Sequence, residues 1–300
     1  MNAKAADADF REKGTPIVFE GIEGNRLAAD LWGTGEGPVA VLLHGGGQTR
    51  HSWGATARRL SASGWRAVTL DLRGHGDSDW SKPGHYSIED YGGDARAVFA
   101  QVKERYGATP VAVGASLGGL CSMYVASQQK PPLSALVLVD VTPRMNPNGV
   151  SGVLGFMGER MQAGFATLEE AGDVVAEYMP HRPRPRSLDG LRKNLRLDPD
   201  GRYRWHWDPR FIKGPRPVST GYRENPDMFV EAAANIAVPT LLVRGQMSGL
   251  GGEEHAREFC DCVPHAAFAD LSGAGQRGAG DRNDVFADAV RKFLGRLETV

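Results

Sequence analysis

The chain has 300 residues, 41% of them hydrophobic and 24% charged, which is ordinary for a globular protein with a sizeable core. Its 35 basic and 36 acidic side chains nearly cancel, so bulk electrostatics draws it neither to nucleic acid nor to an anionic membrane. The length admits two domains, but a wide parallel sheet carrying an insertion also reaches this size as one unit, and one domain is the expectation.

Residues 1–13 are polar, without the apolar stretch of a signal peptide, and no window approaches the ~18 apolar residues of a spanning helix. Cys121, Cys260 and Cys262 form no disulfide framework, which together with that start points to a reducing, cytoplasmic setting. Residues 17–20 and 27–32 suggest a leading hairpin, and 39–43 a buried strand. A helix at 55–60 and a strand at 67–72 follow, then a helical spacing over 88–105 and a strand at 110–114. A helix at 117–129 and a strand at 135–139 complete this half, which alternates strand and helix as a parallel sheet does. From 141 to about 237 no buried-strand run occurs, while Pro, Arg and Trp are frequent. Residues 145–179 suggest two helices, 188–197 a third, and 203–209 an aromatic turn. A bare loop of that length is rare, so 144–237 is expected to be a helical lid inserted between core segments 1–143 and 238–300. The arginines of 182–196 are expected to be a solvated surface. The core resumes with strands at 240–244 and 267–271 and helices at 253–260 and 281–297.

Gly114-Ala115-Ser116-Leu117-Gly118 joins a buried strand to a helix. In that context G-x-S-x-G forms a sharp turn whose glycines avoid collisions and which lifts the serine to a helix N-terminus. Backbone N–H groups there suit a developing oxyanion. His44-Gly45-Gly46-Gly47 follows the 39–43 strand, so the backbones of Gly46 and Leu117 are the expected oxyanion donors. Asp71-Leu72-Arg73-Gly74-His75-Gly76-Asp77-Ser78 follows the next strand, and its expected role is to brace the loop beside that turn.

These three phrases, in this order, resemble the α/β-hydrolase superfamily, in its lid-bearing group of small esterases, C–C hydrolases and non-haem haloperoxidases. The resemblance extends to the strand that ends at Asp140 and to the segments around Arg244 and Gly273. It implies an α/β fold with a mostly parallel eight-stranded sheet, a lid after the sixth strand, and a Ser–acid–His triad in that chain order. The acid of that triad follows the seventh strand, where this chain has Gly249. The histidine follows the eighth, where this chain has Gln276, with Arg277 beside it. Serine needs a base to become a nucleophile, and neutral glutamine accepts no proton. Asp140 is the candidate acid and His206, between two tryptophans, the candidate substitute base, while His255 and His265 are expected on the flank. Gln276 and Arg277 would instead suit hydrogen bonding to a carboxylate or enolate.

Three functions stay open at this point. The first is an enzyme acting through Ser116 on a small ester, lactone or ketone. The second is a repurposed lyase, isomerase or cyclase, and the third a catalytically dead ligand-binding protein. A small-molecule substrate is expected in each, and neither metal nor organic cofactor is implied, since no phosphate-binding glycine fingerprint or ligand cluster occurs. The sequence carries no indication of oligomeric state.

Overall fold

A computed structural model describes residues 13–178, 187–225, 227–245, 253–271 and 282–297. In chain order its strands are β1 (Thr15–Glu20), β2 (Arg26–Trp32), β3 (Val39–Leu43), β4 (Arg66–Leu70), β5 (Val111–Ala115), β6 (Ala135–Val139), β7 (Leu195–Leu197), β8 (Tyr203–Trp205), β9 (Thr240–Arg244) and β10 (Ala267–Asp270). Eight of them form one sheet in the order β1-β2-β4-β3-β5-β6-β9-β10. The β1–β2 and β2–β4 pairs are antiparallel, and from β4 to β10 every pair is parallel. The expected hairpin and mostly parallel sheet are therefore present.

The central strands are buried on both faces, which is why they read as unbroken apolar runs. Alternate residues serve two cores. Val41, Leu43, Ala112, Leu136, Leu138 and Leu242 meet α2 (Ile88–Tyr106), α3 (Leu117–Ala126) and α10 (Glu253–Cys262) on one face. Ala40, Leu42, Val113, Val137 and Leu241 meet α1 (Gly54–Ala62) and α11 (Arg282–Leu297) on the other. Helix α2 shows how local sequence sets these limits. Ser87 and Asp90 form a reciprocal capping box at its start, and Gly107, at φ 71°, closes its end in the left-handed conformation.

Between β6 and β9 the chain forms α4 (Pro147–Gly158), α5 (Leu168–Tyr178), α6 (Asp189–Arg192), α7 (Arg210–Lys213), α8 (Thr220–Glu224) and α9 (Met228–Ala234). The two helices expected over 145–179 are α4 and α5. The helix expected over 188–197 and the turn over 203–209 are corrected: α6 is one turn, and β7 and β8 pair as an antiparallel ribbon. Leu188, Leu191 and Leu195 have helical spacing, but Leu195-Arg196-Leu197 and Tyr203-Arg204-Trp205 also alternate with period two. The tie is broken at the turn, where Gly201 adopts φ 77° and Arg204 reaches both Asp198 and Asp200. Helices α7 to α9, of four to seven residues, are too short to leave a periodic signal.

Candidate active site

Strand β5 ends at Ala115, and the next residue, Ser116, sits at φ 46°, ψ −115° before α3 begins. A non-glycine residue in this region carries backbone strain of about 1–3 kcal/mol. Its neighbours explain how the turn is enforced. A side chain at Gly114 would collide with the Gly118 backbone, one at Gly118 with the Leu43 carbonyl, and one at Gly119 with Val141. Strands β3 and β5 thus pack backbone to backbone against the start of α3, and Val141 after β6 presses its side chain on Gly119, with half-buried Ser116 at the apex. Leu117 is the first residue of α3, so its N–H has no intrahelical carbonyl to meet. The Gly118 N–H is already bound to the His44 carbonyl at 3.1 Å.

That bond joins the serine turn to the glycine turn after β3. A side chain at Gly45 would stand 3.4 Å from the Ser116 Cβ, so the two turns touch. Two buried imidazoles shape the glycine turn. His44 Nδ1 donates to the Gly45 carbonyl while Nε2 accepts the Leu72 N–H. His75 Nδ1 donates to the Arg73 carbonyl while Nε2 accepts the Gly47 N–H. Each ring nitrogen has one role only in the neutral form. Burial pushes His44 down to about 4 and His75 to about 3. His75 is therefore a brace, as expected of its motif. The same loop is held by Arg73, whose guanidinium clasps Asp94 through two bonds of 2.7 Å, and by Asp71, which accepts the Arg50 and Asp77 N–H groups.

Asp140 follows β6 directly and also lies at positive φ, 50°. Ala115 and Val139 are register partners, so Ser116 and Asp140 leave adjacent strands side by side. The Asp140 carboxylate accepts the Gly245 N–H at the end of β9, and burial raises its pKa despite that bond and Arg244. His206 is not brought to this place. It follows β8 on the side opposite buried Trp205 and Trp207, and lines a polar recess with Arg50, Gly76 and Asp77. The alternation Trp-His-Trp carried that information, since period two puts the histidine on the other face from its neighbours. His265 binds the Val238 carbonyl before β9, at the opposite end of the parallel strands from Ser116, and His255 lies on α10. Gly249, Gln276 and Arg277 lie outside the described residues.

Two side chains from the β6–β9 connection cover the glycine turn, and no sequence signal marked them. The ring of Phe211 would lie 3.3 Å from a side chain at Gly46, and Met157 reaches within 3.0 Å of one at Gly47. Their apolar atoms lie over the backbone of this half-buried turn. As for metals, the ligand atoms of Glu23, His85 and Asp90 lie within 4.8 Å of one another. Arg73 and Arg216 already pair with those carboxylates, so the group is a closed ion-pair cluster.

The model of the family described as alpha/beta hydrolase fold matches residues 38–276. Esterase Rv0045c of Mycobacterium tuberculosis is 29% identical over 247 residues, covering 80% of this chain and 76% of that protein. The 3-hydroxybutyrate-oligomer hydrolase of Cupriavidus necator is 28% identical, with 84% and 87% covered. The crystal structure of an alpha/beta hydrolase from Novosphingobium aromaticivorans superposes with a TM-score of 0.75 at 25% identity, over 96% of this chain and all of that one.

Proposed function

For a chain that belongs to the α/β-hydrolase fold family, we propose attack by Ser116 on the carbonyl of a small ester, lactone or ketone. The observation that carries this reading is the positive-φ turn of Ser116, pressed against the glycine turn at the end of β3. The N–H groups of Gly46 and Leu117 receive the developing oxyanion. Residues 144–237 act as the lid, with Met157 and Phe211 closing over that spot. The names of the two relatives, an esterase and an oligoester hydrolase, favour an ester among the three carbonyl classes.

The proton of the Ser116 hydroxyl needs an acceptor, and Asp140 is the ionisable residue beside it in register. Burial makes the Asp140 carboxylate a stronger base than an exposed one, at the cost of being protonated over a wider acid range. Asp140 therefore serves as the base or as the group that orients one.

A fluorophosphonate probe and p-nitrophenyl acetate test both parts. The expected outcome is stoichiometric labelling that disappears in Ser116→Ala, with hydrolysis lost in parallel. Asp140→Asn should lower kcat/KM by about 10²-fold or more. The wild-type kcat/KM should rise with pH along a limb displaced upwards from the ordinary aspartate value. Unlabelled protein without turnover would count against the reading. It would favour non-hydrolytic chemistry or simple binding, the alternative to which Gly249 and Gln276 in the triad places already point. In that alternative, Gln276 and Arg277 hold an anionic or enolate oxygen instead of activating the serine.

A further inference from the structure

Trp205 ends β8 with its side chain 8% exposed, yet its indole N–H meets no acceptor among the described residues. Leaving such a donor unpaired in an apolar setting is costly, and native proteins keep few of them. Its ring stands edge-on to Phe156 at 5.8 Å and to Phe165 at 5.2 Å, neither of which can accept a normal hydrogen bond. Phe156 is in turn stacked on Tyr178, with ring centroids 4.0 Å apart. Phe156 and Tyr178 are only partly buried, so this aromatic group opens towards the surface on that side.

The group is linked along the chain to the side chains that cover the glycine turn. Phe156 precedes Met157, the side chain lying over Gly47, on the same helix. From Trp205 the buried face of the strand continues to Trp207, whose ring meets Phe211, the side chain lying over Gly46. Trp205 is thus tied, through the chain neighbours Phe156–Met157 and Trp205–Trp207, to the two residues that cover the glycine turn. A substrate whose carbonyl sits at Ser116 and whose chain extends towards β8 would have to part this packed layer to reach Trp205. The other unpaired indole, that of Trp53, packs with Phe286 in the core on the opposite face of the sheet and has no such neighbourhood.

We propose that the Trp205 N–H is a specificity-determining donor, which binds an oxygen acceptor carried on the apolar chain of the carbonyl substrate. The preferred substrate is then an oxygen-bearing acyl or alkyl chain, such as an ether, hydroxyl or second ester, over a plain hydrocarbon of equal length. This rests on the carbonyl reading of the Ser116 site, and it adds to it where along the substrate polarity is required. No proton or bond changes hands at Trp205, so it positions the chain and takes no part in the chemical step.

The test is an oxygen scan read by calorimetric binding, which needs no turnover. The probes are 2-nonanone and its analogues in which one methylene at position 5, 6, 7 or 8 is replaced by ether oxygen. The wild-type protein should bind one or two of the ethers about ten-fold tighter than 2-nonanone, and Trp205→Phe should erase that preference while still binding the hydrocarbon. Trp205→Phe should also melt no lower than its lost packing requires, because it removes an unpaired donor. Uniform binding across the scan by wild-type protein would overturn the proposal without reference to any variant. A preference that survives in Trp205→Phe would overturn it as well. In either case ketone binding itself leaves the carbonyl site standing. Absence of binding by every ketone, together with absence of ester turnover, would remove both.

Discussion

At the scale of single residues, the serine turn is a problem of backbone clearance. Gly118 faces the Leu43 carbonyl so closely that no side chain fits without moving β3 or α3. Gly118→Ala should therefore cost several kcal/mol, on the order of a severe core substitution, and lower the melting temperature accordingly. An alanine at Gly152, where nothing stands within 4 Å, is the control and should be neutral or slightly stabilising. This much was legible in the sequence, because G-x-S-x-G between a buried strand and a helix has few other physical uses. Asp140 was legible as a strand-end carboxylate, though its bond to Gly245 was not, since nothing in the sequence aligns β6 with β9. Phe211 and Met157 left no trace at all. Each belongs to a short or glycine-rich helix whose packing partner is decided only by the tertiary fold.

At the scale of elements, the β6–β9 connection is unevenly attached. Its second part is bonded to the loop that follows β4. Gly76 N–H donates to the His206 carbonyl, Asp208 N–H to the Gly74 carbonyl and Tyr86 N–H to the Arg216 carbonyl. The Tyr86 hydroxyl donates to buried Asp208 at 2.5 Å, a bond that, after burial, raises the phenol's pKa. The first part, from α4 to α5, rests on the core mainly through side chains such as Met157 on α4 and Met161 in the turn after it. Tyr86→Phe should cost about 1–3 kcal/mol, because it leaves a buried carboxylate oxygen short of one donor. Amide exchange should quicken across 206–216 and stay unchanged in β3, β5 and β6. Uniform quickening would mean that the bond serves the whole domain. The sequence pattern resolved the core strands to within two residues, because strands buried on both faces are unbroken apolar runs, while the helix expected over 117–129 ends three residues earlier, at Ala126. It failed at β7 and β8, where three-residue strands satisfy both periods at once.

At the scale of the whole molecule, the two buried imidazoles link stability to pH. Both have folded-state values, about 4 for His44 and about 3 for His75, below the ~6.5 of an open chain. As pH falls the unfolded chain takes up these protons first. The stabilisation is thus complete above about pH 6.5 and is lost progressively as pH falls, down to about pH 4 for His44 and about pH 3 for His75. Melting curves should show an acid limb in this window, steeper than carboxylate titration alone produces. His75→Gln keeps an acceptor for the Gly47 N–H and a donor for the Arg73 carbonyl, but has no proton to gain. It should retain the neutral-pH melting temperature and flatten the limb, and an unchanged limb would assign it to other groups.

The backbone of Ser116 has a further consequence, in the terms of selection. Glycine adopts φ 46° freely, so Ser116→Gly would relax the turn and the fold would keep its shape. For a chain that needed only to stay folded, serine there is a standing disadvantage open to correction by a single substitution.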